Sequence, residues 1–242
     1  MDSTADVVRE KIFDFAYEMA MRDATLQKAY YDKDKENNKK HLLANRCAKG
    51  KVKEYIDCII SGNGIPNFFK TEEIVEFAFS KYLGNGYPDF TFGNTQKLIN
   101  MTAKYMFISC YHDSTLRKNF KICHCPMDKI IIDEAVKQFE EKYKDKGILS
   151  GKVAEIITRC NETIEEYNLG KTISEGTFKT WKGYLKNNGW SKIKKNDIGQ
   201  YIFFQELVLD LLVGKDLSPL EYDLCFWSQD SVSWLENDSE YL

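Results

Sequence analysis

The chain has 242 residues, 43% of them apolar and 29% charged, which is enough apolar residue to build a substantial core. Its formal net charge of −3 argues against a protein that coats nucleic acid over its whole surface, although 34 Lys and Arg leave room for a local basic face. Seven cysteines at positions 47, 58, 110, 123, 125, 160 and 225 form no paired CxxC motif, and MDSTADVVREKIFDF has no basic-then-apolar leader pattern. The expectation is reduced thiols in a soluble, cytoplasmic protein with no membrane partner, since no apolar run approaches the roughly 18 residues of a span.

Only 4 prolines and a preference for Leu, Ile, Lys and Glu over Val make the composition helical. Ser3 or Thr4 caps a first helix in which Val7, Val8, Ile12, Phe15, Ala16 and Met19 recur at three- and four-residue steps. DKDKENNKK reads as a solvated loop or exposed helix end. A second helix covers 41–60 and stops at SGNGIP; a third starts at Thr71 and stops at GNGYP. Two apolar helices follow, over 93–111 and 127–143. After a charged stop at Lys142 to Gly147 come helices near 151–167, 175–187 and 196–213, then a short one from Ser218-Pro219 towards Trp227. Alternating strand patterns are nearly absent. The expected fold is all-α and compact, one helical domain, with two lobes (1–90 with the C-terminal helices, and 91–215) as the alternative arrangement.

The segment 92–133, FGNTQKLINMTAKYMFISCYHDSTLRKNFKICHCPMDKIIID, concentrates the chemistry. Gly93 and Asn94 stand at a helix start, whose backbone N–H groups lack intrahelical partners and can hold a phosphate. Lys97 is placed in the first turn of that helix and Asp128 at the start of the next. Each has an ordinary reading, an exposed lysine and a helix-capping aspartate. A helix of about 18 residues is roughly 27 Å long. The chain between Lys97 and Asp128 must therefore fold back if the two are to meet. Cys123-His124-Cys125 crowds three metal-ligating types too closely for one tetrahedral ion, so neither metal nor other cofactor is expected.

The order turn-Gly-x-x-x-Lys, apolar helix, loop, Pro-Met-Asp, apolar helix resembles the helix-hairpin-helix DNA glycosylases, nearest to their 8-oxoguanine branch of the archaeal type. The resemblance covers roughly 40 residues of the 242. It departs from the family at the hairpin, where Asp89-Phe90-Thr91-Phe92-Gly93 replaces Leu-Pro-Gly-x-Gly, and in having no four-cysteine iron–sulphur signature. It implies a DNA N-glycosylase, with or without lyase activity. Lys97 is then the nucleophile that attacks C1′ and Asp128 the carboxylate that assists it. An extruded base needs a pocket, for which Gln96, His124, Phe92, Tyr105 and Trp227 are the candidates.

A second stretch, TWKGYLKNNGWSKIKK (180–195), interleaves Trp181, Tyr184 and Trp190 with lysines, of which Lys182, Lys186, Lys192 and Lys194 are candidate phosphate contacts for DNA. The ordinary alternative is a helix with aromatics inward and lysines solvated. The rival function is a non-catalytic helical protein that binds nucleotides or a protein partner, for example in conflict between bacteria and phages.

Overall fold

The computed structural model describes residues 4–25, 35–62, 71–84, 90–186, 190–194 and 198–226. Among these there are eleven α-helices and no strand. The all-α expectation is met.

Helix α1 (Thr4–Thr25) buries Phe13, Ala16, Tyr17, Ala20, Met21 and Ala24, an i, i+3, i+4 stripe, against the other helices. Helix α2 (Lys35–Ser61) begins earlier than the polar run suggested, because Lys35 to Lys40 continue the helix as an exposed end. Helix α3 (Thr71–Ala78) widens into a π-helical turn, Phe79–Leu83, closed by the Gly84 N–H donating to the Phe79 carbonyl.

Helix α4 (Phe92–Ser109) is the axis of the molecule. Thirteen of its 18 residues are buried, including Gln96, Asn100 and Lys104. Such polar side chains enter a core only with partners, so they mark where neighbouring elements must offer some. Helix α1 packs along α4 on one side.

Helix α5 (Ser114–Asn119), capped by Asp113, and the 3-10 turn Phe120–Ile122 reverse the chain so that α6 (Lys129–Lys142) starts beside the start of α4. Helix α7 (Lys146–Glu166) starts at Lys146, inside the presumed charged stop, because the Asp145 carboxylate accepts the Gly147 and Ile148 N–H groups. The helix expected over 175–187 is two short ones, α8 (Glu175–Lys179) and α9 (Trp181–Lys186), with a break at Thr180.

Helix α10 (Ile198–Leu212) is the second central element, with 13 of 15 residues buried, and packs on α6 and α7. Ser218 and Glu221 form a capping box with Pro219 in the first turn of α11 (Pro219–Cys225). Ring contacts knit α4 to α10: Phe92 meets Tyr201 edge-on at 5.9 Å and Phe79 at 6.0 Å.

Candidate functional site

Asp128 is the N-cap of α6. One carboxylate oxygen, Oδ1, accepts the Ile131 N–H at 3.0 Å. The other, Oδ2, lies 3.6 Å from Lys97 Nζ. The cap reading and the paired reading therefore both hold, one for each oxygen. Lys97 is the sixth residue of α4, in its second turn and not its first. The pair is largely enclosed, with side chains 12% and 15% exposed. Its third member is Trp190, whose ring centroid is 4.4 Å from Lys97 Nζ, a cation–π distance.

Two glutamines aim Asp128. Gln96 pairs with Met127 through both backbone groups: its Nε2 donates to the Met127 carbonyl (3.1 Å) and its Oε1 accepts the Met127 N–H (3.2 Å). Gln205 of α10 does the same to Cys125, at 2.8 and 3.0 Å. Each side-chain amide acts as a borrowed piece of β-ladder, so the Cys125-Pro126-Met127 segment is tied to both central helices before it enters α6. This is why a buried, irregular segment is tolerated there.

The network continues from Gln96. Asn100 Nδ2 donates to Gln96 Oε1 (3.2 Å) and to the Tyr201 hydroxyl (3.0 Å), and that hydroxyl lies 2.7 Å from His124 Nδ1. Because Met127 fixes which end of Gln96 is the acceptor, the Asn100 amide orientation follows. The Tyr201 proton is then left to point at His124 Nδ1, which makes His124 the Nε2–H tautomer.

The sequence expectations divide accordingly. Gln96 is fully buried and committed to Met127, so it is a support for Asp128 and does not line a base pocket. Phe92 is also fully buried, packed between Phe79 and Tyr201, and offers no stacking face. The Tyr105 hydroxyl donates to Asp23 (2.5 Å). His124 is partly exposed beside the pair. Trp227 lies outside the described residues.

Gly93 and Asn94 do not present their N–H groups to a phosphate. The Gly93 N–H donates to the Ile193 carbonyl (3.1 Å), and the Asn94 N–H donates to the Thr91 hydroxyl (3.0 Å) within a capping box. In place of an anion, the chain's own 190–194 segment sits on this helix start. The Thr91 hydroxyl lies 2.7 Å from the Ser191 carbonyl oxygen, and a Cβ on Gly93 would fall 1.7 Å from the Trp190 carbonyl oxygen. That approach is possible only for glycine.

In the basic stretch, Trp181 packs on Phe139 and Phe203, and Tyr184 on Phe203. Lys182 pairs with Glu140, and Lys186 with Asp133 at 2.9 Å. These two lysines have carboxylate partners on α6, whereas Lys192 and Lys194 are exposed beside Trp190.

No family model, curated protein or solved structure matches the chain. Its chemistry rests on its own geometry. Among the described residues no three His, Cys, Asp or Glu side chains converge as a metal site; Cys123 and Cys125 are buried, Cys123 beneath the Tyr55 hydroxyl. Two open clefts, of about 370 and 360 Å³, lie between α1, α2 and the far end of α4, and neither includes Lys97 or Asp128.

Sequence reasoning did not reach Lys104 and Asp223, a salt-bridged pair whose side chains are 1% and 0% exposed. Burial pushes the Asp223 carboxyl up to about 6, with the Lys104 ammonium opposing. A signal for Lys104 existed. It stands seven residues after Lys97 in an otherwise apolar helix, a spacing that returns to the same face.

Proposed function

We propose that the chain is a DNA N-glycosylase in which Lys97 is the nucleophile and Asp128 its base. One observation carries this reading: a largely enclosed primary amine 3.6 Å from a carboxylate oxygen whose partner oxygen is fixed at a helix cap. A capped carboxylate keeps its position while its free oxygen takes up a proton, which suits a general base.

In this reading Asp128 accepts a proton from the Lys97 ammonium, and the amine lone pair attacks C1′ of an extruded nucleotide. The C1′–N bond to the base breaks, and the base leaves with the electron pair and gains a proton from solvent or the site. Opening of the sugar C1′–O bond then leaves a Schiff base between Lys97 and C1′. Water hydrolyses it, or loss of a C2′ proton expels the 3′ phosphate in a lyase step.

Trp190 covers the amine, so a nucleotide reaches Lys97 only when the 190–194 segment shifts. Lys192 and Lys194 on that segment are the cations available to the phosphates, and affinity for DNA should fall steeply with salt.

Borohydride should trap the protein covalently on DNA carrying an abasic or oxidised site, and Lys97→Gln should abolish the adduct. Absence of trapping across a broad lesion panel would leave the second reading. That reading, a non-catalytic nucleotide- or protein-binding role, draws on the enclosure of Lys97 between Asp128 and Trp190. Salt-sensitive nucleotide binding without any adduct would support it.

A further inference from the structure

Helix α4 carries two amines on one buried face. Lys97 and Lys104 are seven residues, about 10.5 Å, apart along the axis. Two ammonium groups sharing a face in a poorly solvated interior each disfavour the other's charge. Each is met by its own carboxylate, Asp128 from the start of α6 and Asp223 from α11. The two pairs are not independent: the charges of Asp128 and Lys97 both act on the Asp223 carboxyl, in addition to Lys104. The groups around Asp223 are thus Lys104 and Lys97 on α4, Asp128 at the start of α6, and Cys125 and Tyr105, each of which feels the Asp223 charge. Facing Lys97 are Asp128 and the ring of Trp190.

Holding the Lys104–Asp223 pair in the core is costly, because both groups lose water and no other hydrogen bond satisfies the Asp223 oxygens. Leu or Met at both positions would pack α11 on α4 without that cost. A pair used only for packing gives no account of why the second amine stands on the face of the first. Control of charge at Lys97 does.

We propose that Lys104 and Asp223 are positioning residues that set the protonation of Lys97: the Asp223 carboxylate cancels the Lys104 charge that would otherwise act on the Lys97 amine. The proposal deepens the glycosylase reading and rests on it for its purpose, but its electrostatic content is independent of any DNA chemistry. Removing the Asp223 charge leaves Lys104 uncompensated about 10 Å from Lys97. At an effective dielectric near 20 that lowers the pH at which Lys97 titrates by about one unit. Removing Lys104 cannot shift it in that direction, because the remaining group is either an anion or a neutral acid.

The test is an NMR titration of the Lys97 side chain in protein labelled with 13C at lysine Cε, with Lys97→Gln assigning the signal. Asp223→Asn should move the Lys97 titration down by about one pH unit, and Lys104→Met should leave it unchanged or move it up. Unchanged Lys97 in Asp223→Asn, or shifts of the same sign in both variants, overturns the proposal. The wild-type protein supplies a check that needs no variant. As Asp223 titrates near 6, the Lys97 signal should show a small second inflection at that pH, and a flat baseline there counts against the coupling. Because the readout is free of substrate, failure to trap on DNA would overturn the glycosylase reading without touching this one.

Discussion

Gly93→Ala tests the docking of the 190–194 segment, on which the cover over Lys97 depends. The added Cβ would lie 1.7 Å from the Trp190 carbonyl oxygen, and real Cβ contacts do not fall under 3.0 Å, so the two backbones must part by at least 1.3 Å (3.0 − 1.7). Neither atom belongs to a flexible side chain, so the movement is of backbone. The Gly93 N–H···O=C Ile193 bond starts at 3.1 Å and does not survive such a displacement, and the 2.7 Å contact of Thr91 with Ser191 is drawn apart with it. A buried donor left unpaired costs about 1–3 kcal/mol, and a lost ordinary hydrogen bond about 1. Alanine returns up to about 1 kcal/mol through helix propensity, which leaves a net destabilisation of about 1–3 kcal/mol. Urea unfolding followed by far-ultraviolet circular dichroism measures it. The control is Gly151→Ala, where the new methyl meets nothing within 4 Å on the exposed face of α7 and should stabilise by up to about 1 kcal/mol. If Gly93→Ala matches the wild type within about half a kcal/mol, the close approach described here is wrong.

Gln205→Leu removes both partners of the Cys125 backbone and should destabilise by about 2–4 kcal/mol in the same assay, whereas Gln205→Glu keeps the acceptor and should fall between. A loss below about half a kcal/mol for Leu would mean the 125–127 segment is held by something else. The thiols divide by burial. Cys123 is pushed up to about 12 by burial, Cys125 and Cys160 are also raised by burial, and all three are inaccessible. Of the seven free cysteines, four (7 − 3) should react with a thiol reagent in native protein at pH 8, Cys110 the slowest because burial raises it too, and all seven in urea. More than four fast thiols in native protein would contradict this packing.

The helices were legible wherever apolar periodicity and a capping side chain coincide. Thr71, Asp128 and Ser218 each open an element near where the residue pattern places it. Boundaries moved where a local side chain overrode the pattern, as when Asp145 started α7 inside a run of charges. The candidate pair was legible for the same local reason, since a proline followed by an aspartate at a helix start can be read in one dimension. What lay beside the pair was not. Nothing near Gln96 in sequence says that its amide is spent on Met127, 31 residues away, or that Phe92 is a core ring.

By itself, then, the sequence determined an all-α protein with its elements in order, and it placed Lys97 and Asp128 near two helix starts, because capping and periodicity are local properties. Only the tertiary structure decided that these starts meet at 3.6 Å, that Trp190 covers the amine, that the α4 start holds the chain's own backbone in place of a phosphate, and that Lys104 and Asp223 stand on the same face. Those contacts join residues from 31 to 119 positions apart. Their energy comes from burying polar groups that must find partners, and the identity of the partner is fixed only when the helices pack.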